Sequence, residues 1–524
     1  MRMTNKIMQN NSLYNINNNK MLQDKLSTQM STQKKITRPS DDPVIAIRAL
    51  RLRSDVSQIK QYYEKNAPDA ESWLKVTADA LNTTTAVITN MLEQCNKGSN
   101  KQLGVEQLEI IVTQLKSLKA EFYATGNVDY AGRYVFTGYR TDTTLTYTEN
   151  KTENFKITEQ LKIANIDKTN HTNIGNLKGA SSTSYDPTTP DTPLEQDTAI
   201  KNSEIYRIRL SYDNLKGTDA AGGDLVPSIK KYDAATDTET DIFSTVKKMS
   251  STGNPSPYDY IADPAHADEV IFVPETGEIL MGKDAYGTIS AVGDNTEIRV
   301  TYEKDSWKEG DLRPQHYFAS TYSYTDEAGV AKTIDYNKDY LTKEGAQQII
   351  EYDVGYNQKI RINTTADEVY TLDVDRNIDD LENALAALKE ISASRTNIKN
   401  MMAGYAEGTT EYKNLKASWD AADKAYTYIR ENIQKKFEGL ITKVNGTLTN
   451  TSVAITDNAT RGSRLDLVSN RLLTQKTTFQ TLQSANEDAD ITEVTIQLTS
   501  MNNSYQSALL ATSKILQNSL MNYI

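Results

Sequence analysis

Cysteine is nearly absent from this 524-residue chain: Cys95 is the single thiol, which excludes an intrachain disulfide framework and a cysteine-based zinc site. Histidine is almost as scarce. His171, His266 and His316 lie 95 and 50 residues apart, so neither an HExxH helix nor a paired-histidine ligand set is written here. Bulky aromatics are few as well, with 8 Phe and 3 Trp, and the hydrophobic fraction is 38%. With a mean hydropathy of -0.60, the composition suits a polar, soluble chain whose core is thin and elongated. No run of about 18 apolar residues is present, so no membrane insertion is expected. The opening MRMTNKIMQNNSLYN has neither an apolar h-region nor a small-residue cleavage site, and a conventional secretory signal is not expected. An excess of positive charge is missing too. The formal net charge of -12 disfavours a sequence-independent grip on nucleic acid or on an anionic bilayer.

Sequence signatures of chemistry are equally sparse. There is no GxxxxGK[ST], no GxGxxG after a strand and no GxSxG. Asp335–Asp339, DYNKD, begins like a calcium loop, but Tyr340 and Ala346 stand where Gly and Glu are needed. Asp373–Asn377, DVDRN, fails in the same way at Ile378 and Ala384. No catalytic, cofactor-binding or metal-ligating residue is therefore expected, and no cofactor.

What the chain does have is helical periodicity at both ends. Ile45, Ala49, Leu52, Val56, Ile59 and Tyr63 keep one three-four phase. A second phase runs from Ala67 through Leu74, Leu81 and Ile88 to Cys95, and a third from Leu108 to Phe122. Near the other end, Leu465, Val468, Leu472, Gln475, Phe479 and Leu482 form one phase. Ile491, Val494, Leu498, Met501, Tyr505, Ala508, Thr512 and Ile515 form another after the acidic step SANEDAD. A further helical region starts at Ile378 and is interrupted at Gly404–Thr410, with an added helical excursion to Phe437. Stripes this long need partner helices alongside. Cys95, Trp73 and Trp419 fall on these helices and read as packing residues.

The first 36 residues are weaker. Ile7, Tyr14 and Met21 recur at seven, but NNNK and QNNS dilute the helix propensity, so an isolated segment would fray. Six Lys or Arg against one acid give residues 1–36 a charge of +5, and residues 487–524 carry -3. The termini are suited to each other electrostatically, although two solvated charged faces would read the same. Between the frayed segment and the first clear heptads stands RPSDDPV. Pro39 disfavours helix at Arg38, Ser40, Asp41 or Asp42 can accept from free backbone N–H groups, and Pro43 suits a first helical position. The stretch reads as a joint where helix stops and restarts.

From about residue 141 to 371 the helix period gives way to short alternating strands: 203–212, 270–280, 296–302 and 358–365. Residues 182–193 read as a surface loop. The expected architecture is α+β, mainly α: discontinuous coiled-coil or bundle arms from both termini, with an inserted β-rich domain. The expected domains are 1–40 with 487–524, then 41–140 with 372–486, and a variable outer domain at 141–371 as one or two bodies. Tyrosines such as Tyr258, Tyr260, Tyr322 and Tyr324 read as strand packing, or as an adhesive surface.

Together, STQKKITRPSDDPVIAIRALRLRS, residues 69–100, GRYVFTGYRTDTT and the stretch GSRLDLVSNRLLTQ onward resemble the flagellin superfamily, and within it the hook–filament junction family. PSDDPV with RALRLRS stands where flagellins typically carry GDDAAGLAIS, and SLMNYI closes the chain in place of a Leu-Leu-Arg-like tail. The resemblance covers about 140 residues at the start and 70 to 140 at the end. It implies a non-enzymatic axial subunit, exported without a cleaved signal to the extracellular flagellum. It further implies a ring of identical copies, contacts with the adjacent hook-associated junction protein and with flagellin, and a flagellar export chaperone. Termini unfolded in the monomer and paired as a coiled coil on assembly are also implied. Ile7, Tyr14, Met21, Ile491, Val494, Leu498, Met501, Tyr505, Thr512 and Ile515 would then face neighbouring helices or subunits. Pro39, Ser40, Asp41, Asp42 and Pro43 would form the inter-domain joint. A flagellin-like filament subunit, or an adhesin displayed by the middle region, are the alternatives.

Overall fold

The computed structural model describes residues 5–180, 193–219, 221–293, 296–342 and 348–517, with side chains from 6 to 514 within those ranges. Four helices come first: α1 (Asn5–Thr32), α2 (Pro43–Gln61), α3 (Ala67–Gly98) and α4 (Val105–Ala124). The strands of the middle region follow: β1 (Asp129–Tyr130), β2 (Arg133–Tyr134), β3 (Lys151–Leu161), β4 (Ile166–Asn173), β5 (Lys201–Arg209), β6 (Ser228–Asp233), β7 (Thr238–Asp241) and β8 (Lys247–Lys248). After α5 (Pro257–Ala262) come β9 (Val270–Val273) and β10 (Glu278–Met281), then α6 (Lys283–Ser290). β11 (Glu297–Trp307), β12 (Ala319–Thr325), β13 (Ala331–Tyr336), β14 (Glu351–Gly355) and β15 (Gln358–Arg361) complete the strands. The chain closes with α7 (Ala366–Val369), α8 (Leu372–Met402), α9 (Thr410–Glu487) and α10 (Ile491–Gln517).

The chain divides into two compact units: residues 1–71, 352–360 and 462–524, and residues 72–351 and 361–461. The boundaries fall at 71/72 and 461/462, where the heptad pattern suggested 40/41 and 486/487. The SDDP turn lies inside the first unit, and the backbone just before it pairs with the α9–α10 turn. Lys35 N donates to Glu487 O (2.7 Å) and Ala489 N to Gln33 O (2.9 Å), so the α1–α2 turn and the α9–α10 turn are stitched together.

Within the second unit, the long apolar phase of α3 is a core stripe. Trp73, Leu81, Ile88, Met91 and Cys95 are all buried, as are Leu115 and Phe122 of α4 and Leu381, Leu388 and Ile391 of α8. The threonines in that stripe satisfy their own hydroxyls: Thr77 and Thr84 donate to the carbonyls four residues earlier. Gly404–Thr410 is a true break, with Gly408 at φ +96 turning α8 into α9. Asp373–Asn377 forms the first turn of α8.

Two sheets share one core in this unit. The five-stranded sheet has the order β4-β5-β10-β9-β8 and the six-stranded sheet β13-β12-β3-β11-β6-β7. Phe155, Ile157, Val300, Tyr302 and Trp307 of the larger sheet pack with Ile208, Phe272, Ile279 and Met281 of the smaller. Four expected strands are present, as β5, β9 with β10, β11 and β15. β4 was not legible, because its run is polar after the first residue, nor was β3, because Glu159 sits on its buried face where an apolar residue would mark the period. Its carboxylate accepts from Tyr302 Oη and from Ser211 N (2.8 Å). Lys304 of β11 interrupts the pattern likewise: buried, it donates to Asp213 O at 2.6 Å.

Candidate assembly surface

In the first unit α1 and α10 run antiparallel, clipped near their middle by Gln23 Nε2 donating to Asn502 Oδ1 at 2.6 Å. On α10 the covered positions are Val494, Leu498, Met501, Tyr505, Ala508 and Thr512, a three-four alternation that keeps one stripe toward α1. Val494 and Thr512 are buried and Ile491 is exposed. Ile515 lies outside the residues whose side chains are described.

The facing stripe of α1 has a different composition from the one the sequence suggested. Its covered positions are Gln9, Ser12, Ile16, Asn19, Gln23 and Leu26, again at three and four. Only two of these are large apolar side chains. Ile7, Tyr14 and Met21 each lie two residues from that stripe, about 200° around the helix, and so they point away from α10. Tyr14 is 67% exposed and Met21 65%. Leu13, Leu22 and Met30 are exposed with them, and on α10 so are Ile496, Leu509 and Leu510. Beside Ile496 the outer face of α10 is a shallow groove of small side chains, Thr499, Ser500, Asn503 and Ser507, which lets another backbone approach closely. Gln475 and Leu482 of α9 are likewise exposed, because the covered stripe passes through Lys476 and Gln483 instead. Most of the exposed large apolar side chains among the described residues belong to this one unit.

Charge holds the two turns together. Glu487 is buried and takes a two-point contact from Arg53, Nε to Oε1 at 2.8 Å and Nη2 to Oε2 at 2.6 Å. The Arg53 guanidinium holds the Glu487 carboxyl below the usual range, with Lys34 contributing at 3.7 Å. Lys34 Nζ also meets Asp488 at 2.5 Å. The opposite charges of the termini are thus paired mainly at the α9–α10 turn. Glu493 on α10 bonds its own helix neighbour Gln497.

The residues of the turn itself act locally. Asp41 Oδ2 accepts from Arg38 N (3.0 Å) and Thr37 N (3.3 Å), and the Arg38 N–H lowers its pKa. Asp42 Oδ1 accepts from Val44 N (2.9 Å) and Ile45 N (3.1 Å) as the N-cap of α2, with Pro43 at the first helical position. Pro39 and Ser40 are exposed. Asp490 caps α10 in the same manner.

The residues set aside in the sequence occupy structural places. Burial pushes the Cys95 thiol up to about 12. Trp73 meets Tyr130 edge-on and lies under Arg133. Asp335 pairs with Lys338 and Asp373 with Lys443. His171 stacks on Tyr258 and His266 on Tyr260. Among the described residues no cluster of three or more His, Cys, Asp or Glu could hold a metal ion, and no helix is long and apolar enough to cross a membrane.

The bacterial flagellin N-terminal helical region matches residues 3–141. Flagellar hook-associated protein 3 of Escherichia coli is 30% identical over 144 residues, which is 27% of this chain and 45% of that protein. The same protein of Salmonella typhimurium is 29% identical over 143 residues, again 27% and 45%. The match thus spans under half the length of these relatives. A putative flagellar hook-associated protein from Vibrio parahaemolyticus aligns with 86% of this chain and 100% of its own, at 12% identity and a TM-score of 0.33. FlgL from Xanthomonas campestris aligns with 83% and 99%, at 11% identity and a TM-score of 0.28. Residues 3–141 are thus similar to the bacterial flagellin N-terminal helical region, and a stretch of 144 residues is similar to flagellar hook-associated protein 3.

Proposed function

We propose that this chain is a structural subunit of the bacterial flagellum that joins hook to filament and assembles through its terminal helices. The observation that carries the proposal is the apolar stripe of α1, Ile7, Tyr14 and Met21, turned away from the helix that α1 packs against. A monomer leaves that stripe in water, and a ring of identical copies would cover it. The similarity to flagellar hook-associated protein 3 supports this place of assembly. The same reading assigns the ring one neighbour on the hook side, the adjacent hook-associated protein, and flagellin on the other. It also assigns an export chaperone that covers the termini beforehand, and an extracellular destination.

The test is self-association of the purified protein by sedimentation. Tyr14→Lys with Met21→Lys should weaken association at least tenfold, about 1.4 kcal/mol, and leave the melting temperature of the monomer unchanged. Association unaffected by both substitutions would refute assembly through this stripe. Growth of the purified protein into long filaments would identify a filament subunit instead.

A further inference from the structure

The outer face of the six-stranded sheet carries an arrangement that the junction role does not use. Register places Thr158, Thr301 and Ser228 side by side on β3, β11 and β6, a rung of three hydroxyls across three strands. Thr158 Oγ1 and Thr301 Oγ1 are 2.9 Å apart, so one donates to the other and a hydroxyl hydrogen is left to point outward. On one side, two residues along each strand and about 7 Å away, Lys156 lies opposite Glu303. On the other side, Lys230 lies opposite Arg299. Lys216 reaches the same place from the β5–β6 connection, where its N donates to Glu303 O at 2.9 Å.

These residues, Arg299 apart, line a cleft of about 400 Å3 together with Glu239 and the apolar Leu225, Val226 and Pro227. That volume is at the small-ligand end of binding clefts. Its cations are held loosely. Lys216 meets Glu303 and Lys230 meets Glu239, both at 3.5 Å. Lys156 is exposed and forms no ion pair among the described residues. Half-exposed pairs of this length exchange readily for a better-placed anion.

We propose that this cleft binds a sugar acid: a polyhydroxylated ligand whose carboxylate lies over the hydroxyl rung between Lys156 and Lys230. The mixed charges select that class. The lysines and hydroxyls donate to a carboxylate, and Glu303 and Glu239 accept from ring hydroxyls. Inorganic phosphate offers few donors to the two glutamates. An uncharged sugar would leave Lys156 without an anion and the other lysines with only their loose partners. The ligand is a free uronic acid or the uronate end of a polysaccharide, and the proposal is independent of the role given to the terminal helices.

The test is titration calorimetry of the full chain at low salt with D-glucuronate, a tetragalacturonate, D-glucose and inorganic phosphate as probes. Saturable, salt-sensitive binding of glucuronate, with glucose and phosphate at least tenfold weaker, is expected. Tighter binding of tetragalacturonate would identify a polysaccharide end, and equal binding a free acid. Lys156→Gln with Lys230→Gln should lower the glucuronate affinity at least tenfold. Thr301→Val, which keeps side-chain shape, should lower it with the melting temperature retained. No saturable glucuronate binding, preference for phosphate, or affinity unchanged in the folded variants would overturn the proposal.

Discussion

Single residues decide how the terminal unit closes. Glu487 is the clearest, because one buried carboxylate answers Arg53 and Lys34 at the point where two helix turns meet. Glu487→Ala strips the partner from Arg53 and should cost about 1–3 kcal/mol, measured as lost hydrogen-exchange protection at residues 33–35 and 487–489. Asp42→Ala removes the N-cap of α2 and should cost about 1 kcal/mol in denaturant unfolding. His316 sets a pH dependence in the second unit. Its burial, opposed by the bond to Thr144 O and helped by Arg313, pulls its pKa from 6.5 down to about 4. The folded state therefore keeps this imidazole neutral where the unfolded chain protonates it, and stability falls as pH drops from about 6.5 to 4. The full contribution is on the order of 3 kcal/mol. Buried Glu159, whose pKa burial raises, acts in the opposite direction over the lower part of the range. Comparing the wild type with His316→Phe isolates the histidine: the variant should lose that part of the slope, and an unchanged slope would contradict the assignment.

At the scale of elements, the helices of the scaffold were legible and the seam of the terminal pair was not. α3 shows its stripe in sequence because every buried position is apolar or a threonine that bonds its own helix. α1 hides its inner stripe, since Gln9, Ser12, Asn19 and Gln23 face α10 while the apolar residues face out. A periodicity read from apolar residues finds the face that needs a partner, which in α1 is a different face from the one already covered. β3 escaped because a buried glutamate, supplied with hydrogen bonds by its neighbours, stands where alternation calls for an apolar side chain, and β4 because its run IDKTNHTN is polar after the first residue. The hydroxyl rung had no signal in sequence at all: Thr158, Ser228 and Thr301 are brought together only by strand order. The polar seam of α1 makes its own prediction. With few apolar side chains buried between α1 and α10, limited proteolysis of the monomer should cut within 1–40 and 487–524 before the second unit. Assembly should protect both ends. Intact ends in a protease-treated monomer would contradict a pair that depends on neighbours for its stability.

For the whole molecule, the two ends of the chain build one unit and the middle is carried within the other, so the terminal helices and the β sheets are free to serve different partners. The β region from 141 to 371 was recognisable as an insert from the loss of helical period, although its two-sheet order depends on pairings distant in sequence, β3 with β11 above all. Deleting residues 141–351, which spares the segment 352–360 of the first unit, should leave the terminal assembly intact and abolish any ligand binding by the sheet cleft. The central claim is the place of the protein in the flagellum, and immunogold labelling of intact cells that make it tests this most directly. A narrow band of label between hook and filament is the predicted result, and label along the length of the filament would contradict it.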